Sequence, residues 1–334
     1  PYEMAGSKAY WPVGYPFFLS VWFYLIDHSQ IAYLVSNFVL YFIAISGIVM
    51  LTNYLSDGGG GKIAALIFAI WPNLIANMAT PEKEMLILAL LPWATYLIIK
   101  ACDNNRYTGT LVAGMLLGFA TLVQPSLQFL PIVGSILLFV VLGVNYSSFS
   151  KVILLVLGTI LIISPWTIRN YQLFDRFVLV STNGGGNFYR ANNALATGGY
   201  TARGAVEFKG MTEIERDIQG KKLASEWITS HPVWFFTLLL EKQVRFMGDD
   251  SVGVYNTLKV GKASENFKLY ALLKGISNLW WMLIWMALVA LILVTRNIKI
   301  KGPPFVFIAF WLWLYLFVIH SVFESAGKYH VPVL

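Results

Sequence analysis

Long runs without a charged residue dominate the chain, and their lengths predict its elements. Residues 31–55 form the clearest run, long enough to cross a bilayer core, which takes about 20 mostly apolar residues. Residues 63–78 and 85–99 are shorter and predict spans that are tilted or flanked by snorkelling lysines. Residues 107–150 carry no charge at all and are too long for one span. Gln124-Pro125 divides them, because proline breaks a helix and disfavours helix just before itself. With residues 152–168, 277–295 and 304–322, this makes about eight spans. Residues 15–26 are too few to cross and predict an interfacial or re-entrant helix. Between residues 168 and 277 lies a long polar segment. Phe177, Val178, Leu179 and Val180 have strand propensity, and Asn183-Gly184-Gly185-Gly186-Asn187 predicts a loop. Thr212-Glu213-Ile214-Glu215 is a capping box, so a helix is expected from Thr212 to near Thr229. His231-Pro232 ends it. A second amphipathic helix, from Val233 to near Met247, carries Trp234, Phe235 and Phe236 suited to a membrane interface.

Charge then orients the spans. By parity, the turns at Lys62, residues 100–106, Lys151 and residues 296–301 fall on one side, and they hold Lys62, Lys100, Arg106, Lys151, Arg296, Lys299 and Lys301. The opposite short loops hold Lys8, Lys83 and Lys328, each with a glutamate nearby. The positive-inside rule places the first set in the cytoplasm. The expected fold is an all-α polytopic membrane protein with a small mixed α/β outer-face domain. Residues 1–168 would be the first membrane part, with an outer loop at 1–14, residues 169–267 the outer-face domain, and residues 268–334 the last membrane part. The chain starts at Pro1 and stops at Leu334 inside a new apolar run, which predicts a fragment lacking a helix at each end.

Composition narrows the class further. Of 334 residues, 57% are hydrophobic and only 12% charged, about half the charge of a soluble domain. One core cannot hide that much apolar surface. Cys102 is the only cysteine, so a disulfide scaffold is excluded. The net charge of +7 suits anionic lipids or an anionic lipid-linked substrate. No basic stripe interleaved with aromatics points to nucleic acid.

Soluble-enzyme motifs are missing: there is no HExxH, P-loop lysine or nucleophile elbow, and the four histidines lack ligand spacing. Residues 183–187 lack the strand and helix context of a dinucleotide fingerprint. Their amides suit a phosphate or a sugar, against the plainer reading as a turn. Four features converge on the expected outer face. They are Trp11-Pro12-Val13-Gly14-Tyr15-Pro16, Pro81-Glu82-Lys83-Glu84, Pro165-Trp166-Thr167-Ile168-Arg169-Asn170, and residues 324–332 with Lys328, Tyr329 and His330. Each also has a plain reading: a helix lead-in, solvated loop charges, or a snorkelling cation.

These features resemble membrane glycosyltransferases that use polyprenyl-phosphate sugars, the C-type superfamily that includes protein O-mannosyltransferases and lipid A aminoarabinose transferases. WPVGYP followed by FFLS is similar to that family's first outer loop. SPWTIRNYQLFDRFVLVSTNGGGNFYRANN resembles the bacterial branch, GKYHVPVL the basic-Tyr-His-x-Pro motif of a late span, and TPEKEML the acidic motif of the second outer loop. The resemblance implies an integral protein of the bacterial inner membrane with its active site facing outward. It would move a sugar, with inversion, from a polyprenyl-phosphate donor to a lipid, glycan or protein acceptor. A lipid or glycan transporter, or a polymerase or ligase using a diphosphate-linked donor, remain the rival readings.

The resemblance also assigns roles. The family's main catalytic aspartate falls upstream of the position matching Pro1, and Glu84 is a second acid that orients the acceptor or a divalent cation. No cofactor is otherwise implied. Arg169 and Lys328 are the first candidates for the lipid phosphate, followed by Arg190, Lys242 and Arg245, with Tyr329, His330, Asn183 and Asn187 alongside. Trp11, Pro12, Gly14, Tyr15 and Pro16 shape the first outer loop. The chain departs from the family in having Gln124 and Lys328 where arginine is common. The second change keeps the charge but loses the bidentate fork.

Overall fold

The structure, a computed structural model, describes residues 7–56, 59–103, 107–200, 208, 210–260, 267–295 and 303–331. Among them are fourteen α-helices: α1 (Gly14–Leu25), α2 (Gln30–Leu55), α3 (Gly61–Ala69), α4 (Pro72–Asn77), α5 (Glu84–Asp103), α6 (Tyr107–Val123), α7 (Leu130–Leu142), α8 (Tyr146–Phe174), α9 (Gly184–Ala191), α10 (Glu213–Ser230), α11 (Pro232–Met247), α12 (Val252–Val260), α13 (Phe267–Thr295) and α14 (Pro303–Val322). The expected charged turn at residues 296–301, Arg106 and the run beyond Val331 lie outside the described residues.

Five segments are long and apolar enough to cross a membrane: α2, α5, α8, residues 125–142 with α7, and α13 up to Ala290. α6 and residues 310–322 of α14 are shorter apolar helices. The expected count of eight is therefore corrected. The clearest departure is residues 63–78, which do not form one helix. Pro72 cannot continue α3, so the chain turns through an extended Trp71 and restarts as α4. The carbonyls freed near the break are satisfied from α2. Tyr41 donates its hydroxyl to the Phe68 carbonyl, and the Asn37 amide donates to the carbonyls of Met78 and Thr80.

α5 is the central helix. Its buried face from Met85 through Ile98 packs into one cluster with residues of α2, α6, α7, α8 and α14. α6 and α8 approach most closely, for a reason visible at their glycines. A Cβ on Gly114 would sit 2.1 Å from the Leu155 carbonyl oxygen, and one on Gly158 2.2 Å from that of Leu111. Gly114 and Gly118 form a small-xxx-small stripe, and Thr159 donates across the contact to the Gly114 carbonyl. Many large apolar side chains of α2, α8 and α13 stay exposed, as lipid-facing surfaces require.

The segment after α8 corrects a second expectation. No strand occurs among the described residues, so this part is helical, not mixed α/β. Residues 178–180 form irregular backbone whose carbonyls pair with side chains instead of a neighbouring strand. Asn170 donates to the carbonyls of Val178 and Val180, Trp166 Nε1 to that of Val180, and Thr167 to that of Leu179. α8 supplies these groups from its last turns, and it runs six residues past the expected span end at Ile168. The expected loop at residues 183–187 is likewise a helix, α9. Its glycines serve contact with α10, since a Cβ on Gly185 would meet the Asp217 carbonyl oxygen at 1.8 Å and one on Gly220 the Gly185 carbonyl oxygen at 2.4 Å. The Gly185 amide donates to Asp217 Oδ1. α10 starts at the expected capping box, with Thr212 and Glu215 exchanging bonds, and α11 follows the His231-Pro232 break.

Candidate active site

One cleft of about 600 Å³ gathers loops that are far apart in the chain. Its wall begins with Tyr10, Trp11 and Pro12 ahead of α1 and continues through Lys83 at the head of α5. Gln124, Pro125 and Ser126 enter from the α6–α7 turn, Asn183, Asn187 and Arg190 from α9, and His320, Glu324, Lys328 and Tyr329 from the end of α14 and beyond.

Each piece is held in place by identifiable bonds. The first loop is fixed by Glu213, which accepts from the backbone amides of Lys8 and Ala9 and from the Thr182 hydroxyl. Arg169 donates to the Lys8 carbonyl and to Asn170 Oδ1 while lying over the Trp166 ring. Gly14 is buried where α1 lies on α6, with Leu122 and Val123 backbone atoms 2.6 Å from any added Cβ. Tyr15 stacks on Phe18, and Pro16 sits in the exposed first turn of the same helix.

The turn carrying Lys328 is clamped on both sides. Gly327 lies on the Asp249 carbonyl, which leaves no room for a Cβ. His330 is 1% exposed, stacks on Trp281 at 4.5 Å, and bonds through its two ring nitrogens to the Phe246 carbonyl and to Asp250 Oδ1. Asp250 is itself fully buried and accepts from Trp71 Nε1 and Asn73 Nδ2.

The charges in the cleft are paired. Lys328 Nζ stands 3.4 Å from Glu82 Oε2 and 3.5 Å from Glu84 Oε1. Arg190 lies 3.8 Å from Glu324 Oε2, donates to Asn187 Oδ1 and covers the Tyr200 ring. Burial and the charge of Glu84 push the Glu82 carboxyl up to about 7, against the pull of Lys328. Burial alone would depress Lys328, but Glu84 and Glu82 outweigh it and hold the ammonium above its ordinary value. Burial lowers Lys83, with Glu84 opposing. Among the described residues, no three His, Cys, Asp or Glu side chains converge as metal ligands.

The structure thus brings Trp11, Pro12, Asn183, Asn187, Arg190, Lys328 and Tyr329 to one cleft, with Glu84 in contact with Lys328. Besides Gly14, Tyr15 and Pro16 on α1, it places four charged or histidine candidates elsewhere. Arg169 braces the first loop, and His330 is enclosed by the Asp250 network. Lys242 is fully buried and donates to Asn192 Oδ1 and the Val322 carbonyl. Arg245 donates to the Thr197 carbonyl. Conversely, the chain pattern does not single out Tyr10, Tyr200 or His320. The available signal for His320 was its position near the end of an apolar helix, four residues before Glu324.

Five helices long and apolar enough to cross a membrane suit an integral membrane protein. Residues 11–168 match the sequence model of the dolichyl-phosphate-mannose-protein mannosyltransferase family, a C-type glycosyltransferase family. That match points to a membrane glycosyltransferase with a polyprenyl-phosphate sugar donor. No curated protein and no solved structure gives a significant match to the chain.

Proposed function

We infer that this protein transfers a sugar from a polyprenyl monophosphate to a hydroxyl group on a lipid, glycan or protein, in the cleft and at the outer face of the membrane. The observation that carries the reading is Lys328 held between Glu82 and Glu84, in a cleft that also presents Arg190. In the reaction, the acceptor oxygen attacks the anomeric carbon and the bond from that carbon to the phosphate oxygen breaks. Negative charge grows on the lipid phosphate, and a fixed cation is worth most there because it needs no reorganisation. Lys328 and Arg190 supply that charge. The acceptor proton goes to a carboxylate. Glu82, poised near neutrality, has the affinity a general base needs. Attack from the face opposite the phosphate inverts the anomeric centre.

The apolar exposed face of α11, with Trp234 and Phe236, suits the membrane surface. The test compares donors. Full-length protein in liposomes should transfer labelled sugar from a polyprenyl monophosphate and not from the matching diphosphate. Transfer from the diphosphate alone would replace this reading with a polymerase or ligase.

A further inference from the structure

Among the described residues, three buried side-chain atoms on the cleft wall have no hydrogen bond: Gln124 Oε1, His320 Nε2 and Glu324 Oε2. Glu324 Oε2 faces Arg190 at 3.8 Å, whereas Gln124 Oε1 and His320 Nε2 face the cleft outside any such ion pair.

Two of these three atoms are acceptors by type, and His320 joins them through its tautomer. Its Nδ1 is 3.2 Å from the Glu324 carbonyl oxygen. A carbonyl only accepts, so Nδ1 carries the hydrogen, and in the neutral ring Nε2 is a bare acceptor. The ring cannot swing away. It is stacked between Tyr329, at 4.3 Å and 10°, and Phe246, at 5.6 Å and 19°, and is 3% exposed. The Tyr15 hydroxyl, also without a partner, both donates and accepts.

Buried acceptors left unmet cost stability unless a ligand meets them. A phosphate dianion cannot, because it too is an acceptor only. A polyhydroxylated ring can, since each hydroxyl brings one donor hydrogen. We propose that this acceptor-rich wall is the sugar subsite of the cleft, and that His320 Nε2 is a specificity-determining contact to one ring hydroxyl. The proposal rests on the glycosyltransferase reading above. It divides the cleft into a cationic part for the lipid phosphate, around Lys328 and Arg190, and an acceptor part that selects the sugar.

The test uses full-length protein in detergent and measures affinity for a short-chain polyprenyl phosphate alone. The same lipid is then tested carrying hexosyl, pentosyl or aminopentosyl groups, and the monodeoxy analogues of the tightest-binding sugar complete the panel. The sugar should tighten binding over the bare lipid phosphate, and one monodeoxy analogue should lose at least about tenfold. His320→Phe should lose a similar factor for the parent sugar and become indifferent to that analogue. His320→Gln, which restores an acceptor, should recover part of the discrimination. Unchanged affinity of His320→Phe for the bare lipid phosphate shows that the cleft is intact. If His320→Phe still discriminates that analogue, the two losses are additive, and the His320 contact is refuted. If no sugar binds more tightly than the bare lipid phosphate, the sugar subsite is refuted while the function reading survives. If even the lipid phosphate fails to bind the wild type, the function reading falls and takes this proposal with it.

Discussion

Removing the Asp250 carboxylate should unseat the turn that carries Lys328. Asp250 is fully buried and accepts three hydrogen bonds, from Trp71 Nε1 at 2.6 Å, Asn73 Nδ2 at 2.5 Å and His330 Nε2 at 3.0 Å. Asp250→Ala leaves three donors with no acceptor in a closed site. Each such loss costs about 1–3 kcal/mol, which sums to about 3–9 kcal/mol before any relaxation. Water entering the space vacated by the carboxylate recovers part, so about 3–5 kcal/mol is expected, in line with breaking a buried pair. For a chain of this length that lowers the unfolding midpoint by about 4–7 °C. Thermal unfolding of detergent-solubilised protein, followed by tryptophan emission, reads it directly because Trp71 and Trp281 both border the network. His330→Phe keeps the ring against Trp281 but removes its nitrogens. The double variant should therefore lose less than the sum of the two singles, by at least about 1 kcal/mol. A midpoint for Asp250→Ala within 1–2 °C of wild type, or strict additivity with His330→Phe, would refute the claim that this carboxylate organises the turn.

Three further outcomes follow from the same contacts. Burial lowers Lys242 to about 7, so between pH 7 and its ordinary value of 10.5 the unfolded chain binds the extra proton and wild-type stability rises with pH. Lys242→Met should flatten that rise in denaturation midpoints measured from pH 7 to 9. Glu82, raised to about 7, has the opposite sign: the folded state binds the extra proton between the ordinary value of 4.5 and 7, so stability falls as pH rises through that window. Glu82→Gln should remove the fall, and a persisting slope difference of zero between variant and wild type would contradict the assigned shift. Gly220→Val places methyl groups against the Gly185 backbone, where the first added carbon already has only 2.4 Å, and should cost about 1–3 kcal/mol or more. Protease digestion should then cut the α9–α10 region faster than in wild type.

Much of the helical frame was legible from charge-free runs, because a membrane span is set by length and apolarity alone. The starts of α2 and α10 and the α10–α11 break fall where the sequence puts them. The Gln124-Pro125 division of residues 107–150 does too. What misled was local chemistry whose outcome depends on a distant partner. Residues 177–180 have the branched and aromatic character of a strand, yet the side chains of Asn170, Trp166 and Thr167 take the backbone bonds a strand would need. The triple glycine reads as a loop, and only the packing of α10 shows why it is helix. The break at Pro72 was written in the sequence but hidden inside an apolar run. Site residues divide the same way. Loop motifs located the cleft, whereas the burial of Lys242 and His330 and the bracing role of Arg169 follow from contacts between segments tens to hundreds of residues apart.

The most direct test of the central claim is sugar transfer by single variants of full-length protein in liposomes, with a labelled polyprenyl-monophosphate sugar. Lys328→Gln removes a charge-assisted contact worth about 1.5–3 kcal/mol. kcat/KM should therefore fall roughly ten- to a hundredfold, provided the contact persists in the transition state. Lys328→Arg should retain most of the activity. Arg169→Lys, which keeps a cation on the first loop but outside the cleft, should stay within a few-fold of wild type. Wild-type transfer by Lys328→Gln, or a loss in Arg169→Lys as large as that expected for Lys328→Gln, would contradict the placement of the reaction in this cleft.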